Sequence, residues 1–278
     1  MILVTGATGF IGRSVLRHLQ EQDRPVKAYG GRINDPLTLR AELLGVETVI
    51  HLAGAEGRGR PRLLQHVDVE GTERLLEEGQ RMGVSHLVVI SRLGADANLV
   101  YPLLRAKGEV ERLVRRSGLP YTIVRSGTVF GRQDHFLTVI ARLARWSWPL
   151  VWLPGGGHSL FQPIWVEDLA RCLALVVQRP EWAGMTLNVG GEESLRYRDI
   201  VQWVLEATGR PRWPFSPSPQ IARPLARLCF GWWPRPPISG LFFDRLAVPE
   251  VTDPDTVRRL FGFRPGRLAH HLAFLRRT

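Results

Sequence analysis

Thr5-Gly6-Ala7-Thr8-Gly9-Phe10-Ile11-Gly12 stands between the apolar run Ile2-Leu3-Val4 and a stretch of helical periodicity over 11–20. The first glycine permits a tight strand-to-helix turn, the second lets main chain approach a pyrophosphate, and the third allows close helix–sheet packing. Free amides at the start of the helix face such a group, and the helix dipole favours an anion there. The spacing predicts a dinucleotide-type turn with Gly6, Thr8, Gly9, Phe10, Ile11 and Gly12 as its binding residues. A turn kept for packing, without ligand, would use the same glycines.

Outward from the turn the pattern repeats. Val26-Lys27-Ala28-Tyr29, Thr48-Val49-Ile50-His51-Leu52-Ala53, Leu87-Val88-Val89-Ile90 and Tyr121-Thr122-Ile123-Val124 read as strands. Such continuous apolar runs suit a sheet buried on both faces. Helical patterns lie between them at 11–20, 37–44, 69–81 and 106–116, and Asn34-Asp35-Pro36 supplies a cap and a first-turn proline for the second. This alternation predicts right-handed βαβ units and an α/β fold, a doubly wound parallel sheet. After Gly131 the texture changes. The expected division is a nucleotide-type domain over 1–131 and a small, mixed C-terminal lobe over 132–278, of substrate type, that returns partly to the sheet at about 160–190. Prolines recur every few residues from 209 to 237, which predicts an irregular wrap.

Composition narrows the function classes. With 278 residues, 44% hydrophobic and 23% charged, the chain has enough apolar material for a packed core. No stretch approaches the roughly 18 apolar residues of a membrane-spanning helix. The apolar N-terminus has no basic flank or cleavage site, so no signal peptide is expected, and a cytoplasmic location is the default. Cys172 and Cys229 are too few for a disulfide framework, and no His/Cys cluster has metal-ligand spacing. The formal charge of +11 is unusual and points to a polyanionic neighbour. It is lopsided: residues 210–278 hold twelve arginines against Asp244, Glu250, Asp253 and Asp255, so +8 sits in the last quarter.

Further motifs give the chain a family resemblance. The glycine turn, His51-Leu52-Ala53-Gly54, Ser91 at a strand end, Lys107 on the next helix and Val124-Arg125-Ser126-Gly127-Thr128-Val129-Phe130-Gly131 form one set. With Gln162-Pro163-Ile164-Trp165-Val166-Glu167-Asp168-Leu169-Ala170 they resemble the short-chain dehydrogenase/reductase superfamily, in its extended or atypical branch of epimerase/dehydratase-like proteins. The match covers about residues 1–208. Within that branch, the stretch 106–168 and the arginine-rich C-terminal wrap most resemble the Rossmann-fold accessory subunit of respiratory complex I and its bacterial relatives. The resemblance implies an NAD(P) cofactor, cofactor contacts at Ala53 and Gly54, and a substrate or nicotinamide contact at Ser91.

Two departures qualify that implication. The superfamily's catalytic pair is a Tyr and a Lys four residues apart on one helix face, where the ammonium lowers the phenol pKa. Four residues before Lys107 stands Leu103. Tyr101 lies about 240° away round an ideal helix, beside Pro102, which marks a helix start. The dyad therefore reads as broken, with Tyr101 able to serve only from the loop. Lys107 is one of two lysines among 37 basic residues, and a compact ammonium reaches a ribose hydroxyl in a way arginine does not. The second departure is a shortened stretch after the second strand. The usual acidic residue that holds the adenosine ribose is replaced by Tyr29-Gly30-Gly31-Arg32. Arg32 could neutralise a 2′-phosphate, which favours NADP over NAD, or it could be an exposed loop arginine.

Other candidates are weaker. His135 and His158 sit near glycine-rich loops and read as incidental, and Asp168 reads as a cap of the helix it begins. Residues 210–249 carry six arginines against Asp244, interleaved with Trp213, Phe215, Phe230, Trp232, Trp233, Phe242 and Phe243. Arginine beside tryptophan suits an acidic membrane surface or a membrane protein complex, with Arg223 and Arg227 on one side of a helical stretch. Buried packing in a substrate lobe is the competing explanation. No nucleic-acid-binding module is recognisable. Two functions follow: a nucleotide-binding scaffold or accessory subunit, or an NADP-linked reductase or epimerase working beneath Ser91 and Lys107.

Overall fold

The apolar runs become strands of one parallel sheet in the computed structural model, which describes residues 1–58, 60–230 and 240–277. The chain runs β1 (Ile2–Thr5), α1 (Phe10–Glu21), β2 (Val26–Ala28), α2 (Pro36–Leu43) and β3 (Thr48–His51). A long helical stretch follows as α3 (Pro61–Leu63), a π-type segment Leu64–Glu70 and α4 (Gly71–Arg81). Then come β4 (His86–Arg92), α5 (Pro102–Arg116) and β5 (Tyr121–Ser126). Local chemistry sets these limits. Asp35 caps α2 by accepting from the amides of Leu37 and Thr38, with Pro36 at the first helical position. α5 starts at Pro102, a turn earlier than the 106–116 pattern suggested, because Leu103, Leu104 and Ala106 extend its buried face.

The remainder builds the second layer and the lobe. It comprises β6 (Val129–Phe130), α6 (Leu137–Trp146), β7 (Leu150–Trp152), β8 (Leu160–Phe161), β9 (Ile164–Trp165) and α7 (Val166–Val176). β10 (Thr186–Val189), β11 (Leu195–Arg196), α8 (Tyr197–Thr208), β12 (Trp213–Phe215), α9 (Pro219–Phe230), α10 (Gly240–Ala247) and α11 (Thr256–Phe261) complete it. α8 stops at Gly209, whose φ of +65° is left-handed backbone that glycine adopts without penalty. The irregular wrap expected over 209–237 is corrected in part. Its prolines accommodate β12 and α9, with Pro219 opening the helix and Pro224 inside it. The segment holding Trp232 and Trp233, and the side chains of Arg223, Arg227 and Phe230, lie outside the described residues.

The sheet order is β10-β5-β4-β3-β1-β2, and every pairing is parallel. The fold is α/β with a doubly wound sheet, as the strand–helix alternation required. One apolar cluster, including Leu39, Leu75, Val110 and Val114, packs α2, α4 and α5 on one face. A second, including Val15, Leu19, Leu169 and Leu173, packs α1 and α7 on the other. The lobe has its own aromatic centre, where Phe136 lies 5.0 Å from Phe161 and 5.8 Å from Phe242 between ring centroids. Among the described residues, only β2 lies beyond β1 on its outer side.

Candidate functional site

The order in which strands are added reverses between β1 and β3, and ligands of such sheets lodge outside the carboxyl ends of the strands there. A cleft of about 400 Å³ opens at that point. Its outer wall is the glycine turn, with Gly6, Gly9, Phe10, Ile11 and Gly12 lining it. Gly6 has φ of +64°, and a Cβ there would come within 2.6 Å of the Leu52 carbonyl carbon. A Cβ on Gly12 would lie 2.2 Å from the Gly6 oxygen. Both positions therefore demand glycine for the turn to close. Gly9 has ordinary φ of −72°, and the start of α1 receives no side-chain cap. What glycine provides there is a bare helix N-terminus facing the cleft, the cradle a pyrophosphate needs.

The middle of the cleft is polar and closely tied. Lys107 Nζ donates to Asp68 Oδ1 at 2.9 Å, and Asp68 Oδ2 accepts from the Ala55 amide at 2.8 Å. A Cβ on Gly54 would stand 3.0 Å from Asp68 Oδ1 and 3.6 Å from Lys107 Nζ, so the loop after β3 packs directly on this pair. Behind it His51 is buried between the hydroxyls of Thr5 (2.7 Å) and Thr72 (3.0 Å). Burial, reinforced by the Lys107 charge, pushes its pKa down to about 3, so the ring is neutral. Ser91 Oγ donates to Glu111 Oε1 at 2.6 Å. Burial would raise the Glu111 pKa, but bonds from Arg125, Ser91 and Arg115 outweigh it and hold the carboxyl below its ordinary range. Ser91 thus offers the cleft only an acceptor.

The inner end holds residues that the sequence reading did not single out. Arg92, at the end of β4, binds Glu56 through Nη1 at 2.9 Å and Glu250 through Nη2 at 2.6 Å. Arg245, from α10, donates to Thr128 Oγ1 at 3.0 Å, and its guanidinium lies 4.4 Å from the centre of the Phe136 ring. Thr128 in turn donates to Glu250 at 2.6 Å. Burial and the neighbouring Arg92 push the Arg245 pKa down. Burial works against the Glu56 carboxylate, yet Arg92 and Arg245 prevail and hold its pKa at about 2. These paired charges join the lobe to the sheet. A charge directly after Ser91 on a buried strand, and the lone Asp244-Arg245 pair in an apolar helix, were the available signals.

Gly6, Gly9, Phe10, Ile11, Gly12, Gly54, Ser91 and Lys107 come together on one cleft. Other expected residues do not line it. Thr8 is exposed and its carbonyl accepts from Arg13, while Ala53 is half-buried with its amide on Thr5 Oγ1. Arg32 is exposed beyond β2, and Asp35, the nearest acid in sequence, is engaged as the α2 cap. Tyr101 is half-buried at the N-cap of α5. Leu103 is fully buried in the apolar cluster with Leu241. None of the chain's four tyrosines lines the cleft. His135 does line it, its ring against Gly57, whereas His158 packs on Gly156 elsewhere. Asp168 does not cap its own helix. Its carboxylate accepts from the Gly266 amide at 2.6 Å and fastens the C-terminal segment. Among the described residues no cluster has metal-binding composition, and no helix is long and apolar enough to cross a membrane.

The fold and the glycine-turn cleft are of the NAD(P)-binding, short-chain dehydrogenase/reductase-like type. A family model described as NAD(P)H-binding matches residues 26–135, which supports a nicotinamide dinucleotide as the cofactor class. Among particular proteins, the chain is 28% identical to the rat mitochondrial NADH dehydrogenase [ubiquinone] 1 alpha subcomplex subunit 9, over 92% of this chain and 70% of that one. It is 25% identical to the 2-alkyl-3-oxoalkanoate reductase of Stenotrophomonas maltophilia, over 95% of this chain and 94% of the other. The solved structure of MoeE5 with UDP-glucose and NAD superposes with a TM-score of 0.73 at 24% identity, covering 99% of this chain and 97% of that one. That likeness confirms the fold.

Proposed function

We propose that the chain is a nucleotide-binding accessory or scaffold protein that holds NADP(H) in the cleft and docks through its basic C-terminal lobe. The observation that carries this reading is the cleft's lack of a phenol. Position 103, one turn before Lys107, is core leucine, and no tyrosine lines the cavity. Such a dinucleotide supplies hydride chemistry when a proton donor completes the site. Here the glycine turn would hold the pyrophosphate, Lys107 and Gly54 would meet the ribose, and Ser91 would accept from the nicotinamide amide. Arg32 would take a 2′-phosphate, since no free carboxylate stands at the end of β2. The similarity to a complex I subunit supports a membrane complex or its lipid surroundings as the docking partner.

An active NADP-dependent reductase is the second reading. His135 on the cleft and the reductase relative favour it. One experiment separates the two: nicotinamide fluorescence titration beside a screen for nucleotide oxidation, on wild type and His135→Ala. The accessory reading expects binding without turnover in both proteins. Turnover that depends on His135 would overturn it.

A further inference from the structure

We infer that the corner of the lobe formed by β7, β12 and the adjoining ends of α6 and α9 is a bilayer-seating surface for anionic phospholipid. The inference rests on the docking reading above and names the surface that carries it. Trp148 is 76% exposed, Trp213 73% and Trp146 57%. They are neighbours because β12 pairs in parallel with β7, with Trp213 opposite Leu150 and its amide bonded to the Pro149 carbonyl at 3.0 Å. Trp146 ends α6, and Arg212 ties β12 to that end by donating to the Ala144 carbonyl at 2.7 Å.

α9 carries two further exposed apolar residues. Ile221 and Leu228, both exposed, stand seven residues apart and so share one side of the helix. The segment that leads into α9 is held to the corner by a bond from the Gly155 amide to the Pro217 carbonyl, 3.0 Å. Single exposed apolar residues need no explanation, but three exposed indoles on adjoining segments do. The stretches 136–166 and 207–230, which carry these residues, contain no Asp or Glu, while Arg142, Arg145, Arg210 and Arg212 lie within them.

This chemistry fits a lipid headgroup layer. Indoles settle at the boundary between headgroups and acyl chains, and guanidinium groups beside them meet phosphates. An acidic protein would answer the arginines, but a broad set of projecting rings with no carboxylate among them matches an interface that is apolar below and anionic above. No residue of the corner lines the nucleotide cleft, so the two surfaces are separable.

The test is co-sedimentation of the full chain with phosphatidylcholine vesicles, with and without added phosphatidylglycerol, while tryptophan emission is recorded. Wild type should sediment with the anionic vesicles only, and its emission should shift to the blue. Trp148→Ser with Trp213→Ser should abolish the blue shift. Arg142→Glu with Arg145→Glu should weaken partitioning by about 25-fold or more, at the strength each basic group contributes near an anionic surface. Nucleotide titration of all three proteins should be unchanged. Failure of wild type to sediment overturns the inference in favour of a protein partner. So does equal sedimentation by the tryptophan variant, or a change in its oligomeric state, which would make the corner a contact between copies. Loss of nucleotide binding with vesicle binding intact would instead defeat the cofactor reading.

Discussion

Replacing Lys107 by Met leaves Asp68 as a carboxylate that is 1% exposed and keeps only the Ala55 amide as a hydrogen-bond donor. At 2.9 Å the raw attraction of the pair is about 6 kcal/mol for an effective dielectric of 20. Desolvation offsets much of that in the intact pair, but not once one partner is gone. Removing one member of a buried pair costs about 3–5 kcal/mol. Urea unfolding at neutral pH should therefore show Lys107→Met destabilised by an amount in that range, with the m-value unchanged. Adding Asp68→Asn should recover a large part of the loss, because the uncompensated charge disappears. A loss below about 1 kcal/mol, or no recovery in the double variant, would refute the claim that Asp68 and Lys107 depend on each other.

Gly9→Asp should abolish dinucleotide binding, read by nicotinamide fluorescence, and leave the circular dichroism spectrum largely intact, because φ at this position suits any residue and the Gly6 oxygen, 3.0 Å from the new Cβ, needs to give only slightly. Gly12→Ala, by contrast, forces a main-chain collision and should lower the unfolding midpoint. Arg32→Ala should weaken NADP(H) by about 10- to 150-fold, the worth of a charge-assisted contact, and leave NAD(H) unaffected in calorimetry. For pH, His51 titrates at about 3 in the fold and near 6.5 when unfolded, so the unfolded chain takes up the extra proton below pH 6.5. Stability should fall with acidification through that window by about 1.4 kcal/mol per pH unit from this group, and His51→Asn should show a shallower decline between pH 7 and 5.

The fold was legible because its strands are apolar throughout and its turns carry their own chemistry. The glycine turn and the Asp35-Pro36 cap are local signals, and both appear in the structure where local rules place them. The central part of the cleft was legible for the same reason, since Ser91 and Lys107 lie one strand end and one helix turn from recognisable motifs. The charged inner end was not. Arg92, Glu56 and the Arg245–Glu250 segment come from three separated parts of the chain, and their bonds exist only once α10 packs on α5 and the chain after it reaches the end of β4. The proline spacing pointed to an irregular wrap, whereas the helical stretch around Arg223 and Arg227 falls within α9, whose packing tolerates Pro224. The exposed tryptophans of the lobe were visible as residues, but their adjacency depends on the β7–β12 pairing.

The most direct measurement is native mass spectrometry of the purified chain, followed by release of whatever it carries. The account predicts one nicotinamide dinucleotide per chain, NADP(H) by its mass, absent from Gly9→Asp. A chain that carries no dinucleotide and whose mass does not change on addition of NADPH would contradict it.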